Sequence, residues 1–285
     1  MDFRYWLAIG CMAFVAAAQY ESGTPAQKSA FRWPEGKRTA ISLSFDDARP
    51  SQIDNGLPLL NRHAVKATFY VSPSRLPERL EGWRKAAKDG HEIGNHSMTH
   101  PCSGNFLWSQ NKALEMMTLA GIREELVAAS REIESQLGIT PRTFAYPCGQ
   151  TFVGRGRDLK SYVPLVAELF QAGRGWMNES PNDPVFCDLA MLMGMPCDNL
   201  DFDQVRPAIE QAAERGAWLV LAGHDIGNAA ERQTTRIAML DALCKYAQDP
   251  ARGIWIDTIG AVADHVARQR DGRKAESRQI APKRS

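Results

Sequence analysis

The sequence predicts an α/β fold, a parallel sheet covered by helices, on three observations. Seven short apolar strand-like runs alternate with helical stretches between residues 39 and 270. The unusual polar residues fall at the C-terminal ends of those runs, where parallel barrels build their sites. No glycine-rich dinucleotide fingerprint follows the first strand; "SFDDARP" stands there instead, which removes the main support for nucleotide binding. A closed barrel and an open doubly wound sheet both suit the alternation.

Taken in order, residues 1–18 read as an export signal. Arg4 lies in a short n-region, "YWLAIGCMAFVAAA" is apolar but too short to span a bilayer, and small residues end it. An exported chain with no integral membrane span after signal removal is expected. The apolar run before Cys11 is too short for a lipoprotein signal. Residues 19–34 read as a linker, "QYESGTPAQKSA" being polar. "TAISLSF" is the first strand and "QIDNGLPLLNRHA" the helix after it. "KATFYVS" and "LEGWRKAAKDG" are the next pair. "HEIGNH" is a short third strand. The helix "GIREELVAASREIESQLG" places Ile122, Leu126, Ile133 and Leu137 on one face, with Gly138 as a cap. "TFAYP", "GRGWMN", "AWLVLAGHD" and "GIWIDT" are the remaining strands, each followed by a helical stretch. Residues 269–285 are basic and polar and read as a disordered tail.

The chain has 285 residues, 44% hydrophobic and 24% charged, with a formal net charge of +1. That fits one large domain whose core comes from packing, and gives no reason to expect nucleic acid as a partner. Loss of Cys11 with the signal leaves five cysteines, so at least one is unpaired.

Five polar groups mark the strand ends: Asp46-Asp47, His96 with His100, "YPCG", Arg174, and His224-Asp225. Adjacent strand residues face opposite ways, so both aspartates reach one site only if the strand stops there; Pro50 favours that. The competing reading is a helix N-cap. His96 and His100 are four apart, and Pro101 makes their turn brief or irregular. Two histidines and a carboxylate form a three-ligand set with open positions, which suits catalytic zinc, although iron uses the same ligand types. His91 and His96 are five apart, which does not fit a zincin helix, so His91 is read as structural.

"SFDD", "HSMTH", "FAYPCG" and "LAGH" resemble, in order and spacing, the motifs of the polysaccharide deacetylase family, the NodB-homology domain of carbohydrate esterase family four. The resemblance covers about residues 35–268. It implies a distorted (β/α) barrel of about seven parallel strands in a single domain, and metal-dependent removal of acetyl groups from a carbohydrate. Asp46 then looks like the general base and His224 the general acid. Asp47, His96 and His100 look like ligands of one divalent ion, zinc first. Cys148 occupies the position whose backbone N–H helps form the oxyanion hole, beside Tyr146, and Leu221 would line the acetyl-methyl pocket. The implied partner is an acetylated carbohydrate of N-acetylglucosamine type, handled by a monomer. O-acetyl xylan esterase, a non-catalytic carbohydrate-binding protein and a non-carbohydrate amide hydrolase are the alternatives.

The chain departs from the family pattern. Ala145 and Tyr146 stand where the family commonly has arginine and proline, and Cys148 where it has tyrosine. Arg174 is the candidate to replace the missing arginine beside the catalytic aspartate. The aspartate-tryptophan motif has no clear match; Asp201, Asp203 and Asp225 are candidates to orient His224. Cys102 and Cys148 lie beside inferred active-site loops and are expected to form a disulfide. Cys187 with Cys197 is the second expected pair, leaving Cys244 free. Selectivity is assigned to loops such as "PCSGNFLWSQNKALEMMTL".

Overall fold

A computed structural model describes residues 31–229 and 231–280. Eight strands form its main sheet: β1 Thr39–Asp46, β2 Thr68–Val71, β3 Glu92–Asn95, β4 Thr143–Ala145, β5 Ala172–Arg174, β6 Met195–Pro196, β7 Trp218–Gly223 and β8 Ile254–Ile256. Their order is β5-β4-β3-β2-β1-β7-β6, with β8 also on β1, and every pairing is parallel. Leu192, just before β6, accepts from Gly175 N at 2.8 Å and donates to Gly173 O at 2.7 Å. The two ends of the sheet thus meet, and the sheet curls into a barrel. The distortion sits at β1: its first half pairs with β8 and its last residues with β2.

The alternation in "TAISLSFD" decides which residues face which way. Ile41, Leu43 and Phe45 join an outer apolar layer with Leu60, Trp83, Val205, Ile209 and Leu243. That layer lies under helices α1 (Leu57–Arg62), α2 (Leu80–Lys88), α3 (Leu119–Leu137), α5 (Phe202–Arg215) and α6 (Ile237–Gln248), while α4 (Val163–Leu169) packs in a separate cluster with Phe144, Tyr146 and Tyr162. Ala40, Tyr70, Ala145, Trp218 and Val220 form a second cluster with Ile259, Val262, Ala263 and Val266 of α7 (Ile259–Ile280). Small polar residues fill the space between: Trp218 Nε1 donates to Ser42 Oγ at 3.0 Å, and Ser44 Oγ to Leu221 O at 2.9 Å. A narrow barrel admits such small side chains from β1 and no large ones.

The N-terminus of α7 meets a half-buried carboxylate. Glu92 accepts from Gly260 N at 2.9 Å, Thr68 Oγ1 at 2.8 Å and Thr143 Oγ1 at 3.0 Å. Burial raises its pKa against those donors. The helix dipole and free N–H groups favour an acceptor there, and the contact anchors α7 to β2, β3 and β4.

In α3 the predicted face is buried and Gly138 closes the helix in the left-handed conformation, with Thr118 capping its start. Three expectations need correction. Phe31 and Trp33 are packed on the core, with Trp33 Nε1 donating to Gly216 O at 3.0 Å, so the expected linker does not extend to residue 34. The export signal over residues 1–18 and the linker over 19–30 lie outside the described residues. α7 continues to Ile280 where a tail was expected from residue 269: nothing between carries a proline, and its first turns are already held by the core. Finally, β6 was not predicted, because two residues, one of them proline, carry no strand periodicity. Among the described residues no helix is long and apolar enough to cross a membrane.

Candidate active site

The strand-end residues gather at one end of the barrel. Asp46 is the last residue of β1 and, like Ser42 and Ser44, faces inward. The chain then turns sharply: Asp47 and Ala48 have φ of 77° and 52°, which non-glycine residues seldom adopt. This turn lets two adjacent carboxylates reach the same site. It is held in place by Gln52, whose amide donates to Asp46 O at 2.6 Å and His224 O at 2.9 Å, joining the ends of β1 and β7.

Asp47 Oδ1 lies 3.6 Å from His96 Nε2 and 3.5 Å from His100 Nε2. The three ligand atoms are within 4.8 Å of one another. His96 Nδ1 donates to Ala145 O at 2.9 Å; a carbonyl only accepts, so the proton is on Nδ1 and Nε2 is left to ligate. His100 is not on a helical turn. Ser97 and His100 both have positive φ, and His100 N donates to Ser97 Oγ at 3.0 Å, which folds the two imidazoles back together despite Pro101. Burial, then His96, lowers the His100 pKa to about 4, so the ring is neutral near pH 7, as a ligand must be. Burial acts to raise the Asp47 pKa, but His96, His100, His224 and Arg49 hold it well below the carboxylate range. Arg49 takes the other oxygen, Oδ2, at 2.9 Å and reaches Asp225 at 2.7 Å.

Asp46 is 4% exposed and paired with Arg174, which is fully buried at the end of β5. Arg174 also donates to Gly175 O at 3.0 Å and lies 5.1 Å over the Tyr70 ring. Burial pushes the Asp46 pKa up, but Arg174, His96 and His224 outweigh it, and the net direction is down. His224, at the end of β7, is fixed by Asp198. Its Nδ1 donates to Asp198 Oδ2 at 2.6 Å and its backbone N to Oδ1 at 3.1 Å, while Thr235 holds Oδ1 at 2.8 Å. Burial disfavours the imidazolium, Asp198 and Asp46 favour it, and the His224 pKa is raised. The Trp176 ring stands edge-on to His224 at 5.1 Å. Trp176 in turn needs Gly149: a Cβ there, at φ +67°, would sit 2.9 Å from Trp176 backbone and side chain.

The profile of the polysaccharide deacetylase family matches residues 30–160, which contain Asp46, Asp47, His96, His100 and Cys148. Over that stretch, just under half of its length, the chain is similar to the polysaccharide deacetylase family. It is 36% identical over 97 residues to the uncharacterized protein YlxY of Bacillus subtilis, covering 34% of this chain and 27% of that one. It is 33% identical over 97 residues to the chitooligosaccharide deacetylase of a Bradyrhizobium strain, covering 34% of this chain and 39% of that one. The chain therefore matches well under half the length of these curated relatives. A probable polysaccharide deacetylase from Pseudomonas aeruginosa PAO1 shares the fold, with a TM-score of 0.60 at 18% identity over 83% of this chain and 93% of that one.

Several residues expected in a deacetylase site sit elsewhere. Tyr146 turns its side chain away: it is fully buried against Phe144 and Tyr162, and its hydroxyl donates to Ala190 O at 2.6 Å. Leu221 lies in the outer layer with Leu43 and Val205, while Val220 and Trp218 face inward; on β7 it is Ala222 that shares the inward face. Asp201 caps α5, Asp203 pairs with Arg206 on the surface, and Asp225 is held by Arg49 and Ser51. Asp198 does the orienting, at the end of the strand that was not predicted. His91 accepts from Ala67 N at 3.2 Å and meets Asn61 at 3.1 Å, far from this constellation in role.

Cys102 and Cys148 form the expected disulfide, with Cα atoms 6.1 Å apart. It joins the loop after His100 to the turn Pro147–Gly149, where Cys148 has φ 54°. Both sulfurs are thereby spent and leave His100 to the Asp47 set. The expected Cys187–Cys197 pair is absent: Arg270 holds Cys187 Sγ at 3.1 Å against α7, and Cys197 is buried beside Thr235. Cys244 is free and buried on α6, as expected.

Proposed function

We propose that this chain is a metal-dependent deacetylase acting on N-acetylglucosamine-type oligomers or polymers. The observation that carries the reading is the convergence on one barrel end of the Asp47–His96–His100 set, an Arg174-held Asp46 and an Asp198-held His224. Two imidazoles and one carboxylate suit zinc, and each ligand has an outer partner that orients it: Ala145 O for His96, Arg49 for Asp47. When bound there, a divalent ion supplies Lewis-acid polarisation of the acetyl carbonyl and acidifies water.

The chain's own residues do the rest. Asp46, kept ionised by Arg174, accepts the proton of the attacking water. The backbone N–H of Cys148, on a turn pinned by the disulfide, would donate to the developing oxyanion. His224, its charged form favoured by Asp198, gives its proton to the sugar nitrogen as the C–N bond breaks. Acetate and a free amine leave. The relative named as a chitooligosaccharide deacetylase supports an amide substrate over an ester. We assign the chain to an exported compartment on its N-terminal sequence and on the disulfide.

The test is acetate release from chitin oligomers, peptidoglycan, poly-N-acetylglucosamine and acetylated xylan, with metal content measured beside it. The chelated protein should lose activity and regain it with zinc. Asp46→Asn should keep its ion and lose roughly 10²–10⁴-fold in rate, while Asp47→Asn should lose both. Activity surviving complete metal removal, or an ion lost from Asp46→Asn and kept by Asp47→Asn, defeats the assignment.

A further inference from the structure

Beside the metal-ligand set the surface carries aromatic side chains that the chemistry above does not use. Phe106 is 43% exposed, Leu107 83% and Trp108 56%. Tryptophan is highly buried on average in a folded domain, and nothing in the core requires this one to face solvent. The Trp108 ring centre lies 5.7 Å from that of His100, and the Phe106 ring stacks on Trp108 at 5.5 Å with 29° between planes. The two rings therefore form a small aromatic ledge beside a candidate metal ligand, with Lys112 Nζ 5.7 Å over the Trp108 ring.

The ledge is braced from below. Ser109 Oγ donates to Cys102 O at 2.8 Å and accepts from Cys102 N at 2.9 Å. Glu115 accepts from Ser103 Oγ at 2.5 Å and Gly104 N at 2.9 Å, and Gln150 from Ser103 N at 2.7 Å. The disulfide fixes Cys102 itself. Exposed rings on a braced loop cost little ordering when a ligand arrives.

We infer that Phe106 and Trp108 form a stacking subsite for the pyranose rings of the substrate chain, next to the sugar whose acetyl group is removed. The inference rests on the deacetylase reading and deepens it. A pyranose offers an apolar C–H face to an aromatic ring, and hydroxyls at its rim stay in water. A protein partner would need a wide apolar patch with its own rim; this ledge is two rings wide and continuous with the catalytic end, which fits a chain threaded through the site.

The test compares an N-acetylglucosamine pentamer with the dimer, which covers at most the first ring of the ledge. In Trp108→Ala the ratio of kcat/KM for pentamer over dimer should fall about tenfold, the affinity of one buried sugar face. Phe106→Ala, which removes the ring that stacks on Trp108 and does not itself meet His100, should lower the same ratio by less, and Trp108→Phe, which keeps a stacking face, should restore most of it. Pentamer binding to the inactive Asp46→Asn protein, measured by calorimetry, should weaken in parallel when Trp108→Ala is added. An unchanged ratio with unchanged pentamer binding overturns the subsite and leaves the deacetylase reading standing. If no acetate is released from either oligomer, the activity reading fails, and the calorimetry still decides: pentamer binding that depends on Trp108 keeps the subsite, and absent or Trp108-independent binding ends it.

Discussion

Arg174→Leu removes the buried guanidinium that pairs with Asp46. Arg174 is fully buried, and the Asp46 side chain is 5% exposed, so solvent cannot take over the lost contact. The nearest remaining cationic candidate is His96, whose Nε2 is 3.9 Å from Asp46 Oδ2 and is directed to ligation. Breaking such a buried pair from one side costs roughly 3–5 kcal/mol, because the partner charge is left uncompensated. For a domain of this length that lowers Tm by roughly 6–20 °C. The two groups are in contact, so they should couple: Arg174→Leu with Asp46→Asn should be less destabilised than the sum of the single changes by about 1–3 kcal/mol. The pH dependence has a definite sign. Asp46's pKa is lowered in the fold, so its pairing adds stability above the unfolded value near 3.9 and loses it as pH falls through the folded value. The gap between wild type and Arg174→Leu should be full at neutral pH and narrow below about pH 4. Thermal or urea unfolding of the four proteins, at one fixed zinc concentration, measures all of this. A Tm within about 2 °C of wild type for Arg174→Leu, or strictly additive single changes, refutes the argument.

Asp198→Asn should keep its metal and lose roughly 10²–10⁴-fold in turnover, since His224 loses the acceptor that orients Nδ1–H. The same carboxylate helps to raise the His224 pKa, so in the variant the alkaline limb of the pH–rate profile should move to lower pH; a limb that stays put rules out Asp198 as the orienting group. Thiol labelling of unreduced, denatured protein should modify Cys187, Cys197 and Cys244 and spare Cys102 and Cys148. Reduction should cost at most roughly 4 kcal/mol for a closed loop spanning 46 residues. Labelling at both Cys102 and Cys148 without reductant contradicts the bridge.

The sequence by itself determined the parallel α/β architecture, the face of α3 and the end of the barrel on which the polar residues meet. All three follow from local rules: alternation sorts a strand's side chains between two faces, and parallel strands put their C-termini at one end. That is why Asp46, His96, His100, Arg174 and His224 were legible before any contact was known. Arg174 as partner of Asp46 was legible as a substitute for an arginine missing at residue 145. The tertiary structure alone decided what depends on a single residue of phase or on elements too short to carry a pattern. Leu221 and Tyr146 were misplaced because a shift of one position turns a strand residue to the opposite face, and the chain around Tyr146 bends into a turn. Asp198 was missed because Met195–Pro196 has no periodicity, although it obeys the strand-end rule once that strand is seen. Cys187 and Cys197 were expected as the second pair, yet one is held by α7 and the other lies beside Thr235 after β7, partners that no local pattern announces. Trp108 was legible only as one residue of a loop assigned to selectivity. Its meaning comes from lying beside His100, and only the folded loop brings an exposed ring to a candidate metal ligand eight residues away.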